Sequence, residues 1–257
     1  MIRLHKLAPS GTILLDAPHS RNALSREMIR QLLDALSDFH QDKSVRGVIL
    51  SSKGSHFCSG IDLKEWQETS ESRDALEQWH EISSELQELI EACLRLPKPI
   101  IAAIDGPVHG FGVALSLAAD LVIASDRTEF SIPAPLYGLV SGLTTPLIAF
   151  RCSGATASRL LLGREPLSAA ELHRLGIIHR LVPSEQIWAA AHDWIGTIAQ
   201  GSAEAVGLTK RLLNEMIGES MFMHLSSGAA MLSTSASTES AAEGMKAFVE
   251  KRQPKFP

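Results

Sequence analysis

At 257 residues, with 45% apolar and 21% charged side chains, the chain is long enough to bury a large core as one domain, or as one domain with a helical appendage. Its formal charge of -5 comes from interspersed signs, which argues against a nucleic-acid surface and against an anionic-membrane footprint. Three cysteines, Cys58, Cys93 and Cys152, show no paired spacing, so free thiols in a reducing compartment are expected.

The first twenty residues interrupt their apolar positions too often for a signal peptide, and Asp105 and Asp120 bracket the longest apolar stretch below the length of a membrane span. The expectation is a cytoplasmic protein with no membrane partner. In chain order, TILLD (12–16), VRGVILSS (45–52), PIIAAIDG (99–106) and DLVIAS (120–125) read as strands by length, β-branching and flanking turn residues. Between them, SREMIRQLLDALSDF (25–39) opens on Ser25 as an N-cap and repeats apolar residues at helical spacing. A longer helical run from Ala75 to Leu96 stops at Pro97. Strands alternating with helices imply right-handed crossovers and a mostly parallel sheet.

From about residue 153 the pattern is helical only, with Gly163 and Gly176 at C-cap positions. The small-residue stretch at 226–240 stays helix-compatible. An α/β core with an α-helical C-terminal third follows, divided as residues 1–195 and 196–257.

Several familiar motifs are missing. Gly110 and Gly112 begin a GxGxxG-like run, but Leu115 holds the third position and the preceding strand ends several residues earlier. There is no P-loop, and Ser141 before Gly142 lacks the GxSxG spacing of a nucleophile elbow. The ten histidines are scattered without HExxH or close Cys/His pairs, so no metal site is expected. What remains is backbone chemistry. GPVHGFGVALSLAADL (106–121) is a glycine turn running into a helix, and SHFCSGIDLKEW (55–66) is a second, bent at Gly60. Two such turns, each presenting an N–H, are what a thioester oxyanion hole requires.

PHSRNALSREM (18–28), HFCSGIDLKEW (56–66), KPIIAAIDGPVHGFGVALSLAADLVIAS (98–125) and EGMKAFVEKRQPKF (243–256) together resemble the enoyl-CoA hydratase/isomerase superfamily, the crotonase fold. The resemblance implies a spiral of βαβ units with a C-terminal trimerisation region, assembled as a homotrimer or a dimer of trimers. It implies an acyl-CoA or pantetheinyl thioester as substrate, no tightly bound cofactor, and an oxyanion hole from the amides of Ile61 and Phe111. Ser59, Gly60, Ile61, Asp62 and Leu63 would line the coenzyme, flanked by Arg21 and Ala23. Gly110, Gly112, Ala114 and Ala134 would lie along the acyl site. Lys251 would approach the coenzyme phosphates.

The departures bear on chemistry. The two glutamates that activate water in the hydratases correspond to Ala114 and Ala134, and the extra aspartate of the dienoyl-CoA isomerases corresponds to Gly142. Ordinary hydration is therefore disfavoured, because each positioned acid or base is worth about 10²- to 10⁴-fold. An oxyanion hole still stabilises an enolate however it is made, which favours isomerisation or decarboxylation. Tyr137, the sole tyrosine, is the first candidate proton donor, followed by Ser141, His109 and Thr144. Each has an alternative: ring packing for Tyr137, a carbonyl cap for His109, turn or N-cap roles for Ser141 and Thr144. Asp62 is expected to fix the first turn through backbone N–H groups. Two further hypotheses stand beside this one. A displaced acid such as Glu65 or Glu68 would support weak hydration, or the chain binds acyl-CoA without catalysis.

Overall fold

The computed structural model describes residues 1–214 and 220–257. The elements in chain order are β1 (Ile2–Leu7), β2 (Ser10–Leu15), α1 (Arg26–Gln41), β3 (Gly47–Ser52), α2 (Leu63–Thr69), α3 (Ala75–Arg95) and β4 (Ile100–Ile104). Then come β5 (Val108–His109), α4 (Phe111–Leu117), β6 (Leu121–Ala124), β7 (Glu129–Ser131), α5 (Thr144–Arg151) and α6 (Gly154–Leu161). The chain finishes with β8 (Leu167–Ser168), α7 (Ala169–Arg174), β9 (Arg180–Leu181), α8 (Ile187–Ile198), α9 (Ala203–Ala236) and α10 (Glu239–Val249).

The main sheet has the order β1-β2-β3-β4-β6-β9, and a small second sheet has the order β5-β7-β8. From β2 onward the main sheet is parallel, with Val48 opposite Ile100 and Ile101 opposite Leu121. Its central strands are buried on both faces, as their unbroken apolar runs require. One face, including Val48, Leu50, Ile100, Ala102 and Ile104, packs into the large core with α1 and α3. The other, with Ile49, Ile101, Ala103 and Ile123, is covered by Ile187, Ala191 and Ile195 of α8.

Helix α1 starts where its cap predicts: the Ser25 hydroxyl accepts the N–H of Met28 at 3.3 Å, and Met28, Ile29, Leu32, Ala35, Leu36 and Phe39 are its buried face. The last carbonyls of α3 are satisfied by side chains of α9. Lys210, 6% exposed, donates to Cys93 O at 2.9 Å and Lys98 O at 3.1 Å, and pairs with Asp120 at 2.8 Å. Asn214 donates to Leu94 O at 2.8 Å. These bonds fasten the long C-terminal helix to the strand-bearing core.

Three expectations are corrected. Ile2–Leu7 forms an antiparallel edge strand that the sequence reading passed over, because five of its six residues are exposed. The region after residue 153 is not purely helical: two-residue strands β8 and β9 extend the sheets. Gly176 does take a left-handed conformation, with φ +76°, after α7, but after α6 that conformation belongs to Arg164, with φ +52°, rather than to Gly163. All three cysteines are free, as expected. No helix among the described residues is long and apolar enough to cross a membrane.

Candidate active site

Because β3 and β4 are parallel neighbours in register, the loops at their carboxyl ends emerge side by side, where ligands bind in open α/β sheets. Backbone bonds then stitch the loops together: Phe57 N–H donates to Pro107 O at 3.0 Å and His109 N–H to Cys58 O at 2.9 Å. A third segment joins from before α1, with Leu24 N–H donating to Gly60 O at 2.8 Å and Asp62 N–H to Leu24 O at 3.0 Å. Asn22 anchors that segment. Fully buried and left-handed at φ +55°, it accepts from Ala17 N–H at 2.8 Å and donates to Lys53 O at 3.0 Å and His56 O at 2.9 Å. Sequence reading named its neighbours Arg21 and Ala23 and missed Asn22, although asparagine is one of the few residues that favour the left-handed region in turns.

The two glycine turns meet closely at Gly60. Gly60 has φ +94°, and a Cβ there would lie 3.0 Å from His109 O and 3.2 Å from Phe111 N. A Cβ on Gly112 would meet Cys58 O at 2.6 Å, so this glycine lets α4 close against the first turn. The surrounding amides are occupied: Ser59 N–H by Arg21 O, Gly110 N–H by Ser131 O, and Gly60 N–H by the Cys58 sulfur. Ile61 and Phe111 donate to no backbone carbonyl in these turns.

A small, partly open cavity lies beside these amides. Gly60, Ile61, Leu63, Gly110 and Phe111 line one side, and Pro133, Ala134, Tyr137, Leu139, Val140, Ser141, Gly142, Leu143 and Thr144 the other. Leu232 of α9 completes it. Among the described residues, no Asp, Glu, His, Lys or Arg lines this cavity; the lining residues with polar side chains are Ser59, whose hydroxyl donates to Ser20 O at 3.3 Å, Tyr137, Ser141 and Thr144.

Of the anticipated residues, Ser59, Gly60, Ile61, Leu63, Gly110, Phe111, Ala134, Tyr137 and Ser141 are brought together on the cavity. Ala114 and Gly112 are buried in α4 away from the lining. Asp62 caps α2, accepting Lys64 N–H at 3.0 Å, and lies outside the lining. His109 is turned aside: its Nδ1 lies 2.6 Å from the Ser131 hydroxyl, its ring 5.7 Å from that of His56, and burial lowers its pKa. Lys251, exposed beyond α10, and the flanking pair Arg21 and Ala23 are not in the lining either. Glu65 accepts Arg26 N–H at 2.9 Å, capping α1, while Glu68 is exposed. Gly142 is held backbone to backbone against Gly228 of α9, which leaves no room for any side chain at that position.

Burial pushes the Tyr137 hydroxyl above its ordinary pKa, with the positive charge of Arg21 working the other way, so Tyr137 is protonated at neutral pH. The Ser141 hydroxyl is buried with no hydrogen-bond partner in the protein. Cys58, near Gly60, is no nucleophile: burial pushes its thiol up to about 12. Leu139, Leu143 and Leu232 were not anticipated, and nothing local in the sequence points to Leu232, which arrives from a helix some ninety residues further along the chain than Leu139 and Leu143.

The family model described as enoyl-CoA hydratase/isomerase matches residues 10–257. A bovine protein, enoyl-CoA hydratase domain-containing protein 2, mitochondrial (Bos taurus), is 33% identical over 251 residues, spanning 95% of this chain and 83% of that protein. A crystal structure of an enoyl-CoA hydratase from Mycobacterium avium is 27% identical and superposes with a TM-score of 0.86 over 98% of this chain and 97% of that one. An enoyl-CoA hydratase from Bacillus halodurans, at 22% identity, shares the fold with a TM-score of 0.88 over 96% of this chain and 99% of that one.

Proposed function

The chain belongs to the enoyl-CoA hydratase/isomerase family, and on that premise we propose that it holds an acyl-CoA or pantetheinyl thioester oxygen between Ile61 N–H and Phe111 N–H and catalyses enolate chemistry. The observation that carries this reading is that two amides without a backbone acceptor belong to residues lining one cavity, whose lining includes no carboxylate. Hydration needs a base to activate water, and double-bond migration needs one to remove a proton from carbon. The cavity supplies hydroxyls only. Loss of CO₂ from a malonyl-type thioester needs no protein base, so it is the reaction favoured among enolate routes.

In that reaction the bond from the α-carbon to the carboxylate breaks and CO₂ leaves. The electron pair enters the α-carbon to carbonyl-carbon bond, and the negative charge moves to the thioester oxygen, where the two amides receive it. The apolar wall of Pro133, Ala134, Leu139 and Leu143 favours the step, because a carboxylate is poorly solvated there and CO₂ is not. The α-carbon then takes the proton of the Tyr137 hydroxyl, and solvent reprotonates the tyrosinate. We assign α9 and α10 to the assembly face of a homotrimer or dimer of trimers, supported by the exposed apolar side chains of Leu208, Leu212, Leu213 and Met223 on α9.

Mass-spectrometric turnover of 2-enoyl-, 3-enoyl- and malonyl-type CoA thioesters tests the reading. Decarboxylated product is expected, and Tyr137→Phe is expected to lower kcat about 10²- to 10⁴-fold with little change in KM. Hydration of the 2-enoyl thioester at an ordinary enzymatic rate would refute it. Binding without turnover of any member would make the chain an acyl-CoA-binding protein.

A further inference from the structure

The wall of the acyl cavity that carries Ala134 and Tyr137 is a single 3₁₀ turn, Ala134–Tyr137. One turn of this kind has little internal rigidity, so its position depends on what it rests against. It rests on α10. Gly244 is set so close beneath the backbone of Tyr137 that a Cβ there would lie 2.6 Å from Tyr137 Cα. Gly138, at φ +69°, ends the turn, and a Cβ on it would fall 2.5 Å from Ala241 N. Reciprocal glycines thus let the two backbones touch.

The side chains continue the contact. The Phe248 ring stands 5.3 Å from the Tyr137 ring at an interplanar angle of 73°, an edge-to-face arrangement. Helix α10 is itself fixed at both ends. Thr238 caps it through Ala241 N–H at 3.1 Å, and Glu243 accepts from Arg252 at 2.6 Å and from Lys255 N–H at 2.7 Å.

We propose that α10 is the positioning element of the proton donor, with Phe248 and Gly244 holding the Tyr137 ring at the cavity wall. The inference rests on Tyr137 being the donor in the reaction proposed above. Phe248 does not line the cavity and acts only through Tyr137, so it is a positioning residue. Burial raises the Tyr137 hydroxyl pKa, and the Phe248 ring is among the groups packed against the Tyr137 ring.

Tyr137 is the only tyrosine, so the tyrosinate absorbance of the full-length protein reports this one ring. The experiment compares wild type, Phe248→Ala and Phe248→Leu by absorbance titration and by steady-state turnover of malonyl-CoA, with circular dichroism to confirm folding. Phe248→Ala is expected to bring the Tyr137 titration down toward the ordinary value of about 10 and to lower kcat about tenfold with KM changed less than about twofold. Phe248→Leu, which keeps apolar bulk, is expected to recover most of the titration shift and part of kcat. Gly244→Ala should act in the same direction; should it fail to fold, the Phe248 variants decide alone. A folded Phe248→Ala protein whose Tyr137 titrates as in wild type overturns the inference whatever its turnover. A shifted titration joined to turnover that Tyr137→Phe leaves intact overturns Tyr137 as donor, and the positioning role with it.

Discussion

Substituting Gly60 by alanine separates the role of the two amides from that of the fold. The residue sits at φ +94°, so any L side chain there is strained, at about 1–3 kcal/mol. The added methyl would also stand 3.2 Å from Phe111 N and 3.0 Å from His109 O. Relief of that crowding moves the Phe111 amide, and loss of one oxyanion donor is worth about 10²- to 10³-fold in kcat. Gly176→Ala is the matched control: φ +76°, comparable strain, and no atom within 4 Å of the new Cβ. Both variants are expected to lose similar stability in denaturant melts, about 1–3 kcal/mol, while only Gly60→Ala loses turnover of the malonyl-type thioester. If folded Gly60→Ala turned over like Gly176→Ala, the amide of Phe111 would have no part in catalysis.

Four other substitutions test further features of the structure. Ala134→Glu places a carboxyl on the cavity wall and is expected to raise hydration of a 2-enoyl thioester from its low baseline, whereas Ala114→Glu buries an unpaired charge in α4 and is expected to cost about 3 kcal/mol or more; product analysis and melts distinguish them. Lys210→Met leaves Asp120 and the Cys93 and Lys98 carbonyls without their ammonium partner, with an expected loss of about 3–5 kcal/mol by denaturant titration. Burial holds the Glu65 carboxyl above the ordinary range, partly offset by the Arg26 N–H, so folding takes up a proton there. Its contribution to stability is full below the unfolded pKa and is lost as pH rises through the folded one. The stability of wild type relative to Glu65→Gln should therefore fall between acid and neutral pH, and a constant difference across that range would contradict the assignment.

The parts of the molecule that were legible in the sequence are those with short-range causes. The apolar runs of β3, β4 and β6, the Ser25 cap of α1 and the stop of α3 before Pro97 are local patterns, and the structure follows them. Strand β1 was not legible because an exposed edge strand of sequence IRLHKL has no buried face to impose alternation. At the site, the two glycine turns and the lone tyrosine mark their own segments, the choice of Ile61 and Phe111 within them came from the family resemblance, and the structure places all three residues on one cavity. Glu65 and His109 read as candidates for chemistry, yet each is committed to a bond across the fold, to Arg26 N–H and the Ser131 hydroxyl respectively, whereas Asp62 holds the first turn as expected by accepting Lys64 N–H. Leu232 and the seating of Tyr137 on Phe248 depend on how α9 and α10 return over the core, a long-range contact that no window of sequence reveals. The emptiness of Gly142 has the same origin, since it is the backbone of Gly228 that excludes a side chain there.

The most direct test of the account is a crystal structure of the protein with a non-decarboxylating malonyl-thioester analogue. The account predicts the thioester oxygen within about 3 Å of both Ile61 N and Phe111 N, with the Tyr137 hydroxyl as the nearest protein acid to the α-carbon. A carboxylate within hydrogen-bond reach of that carbon, or a thioester oxygen bound away from the two amides, would contradict it.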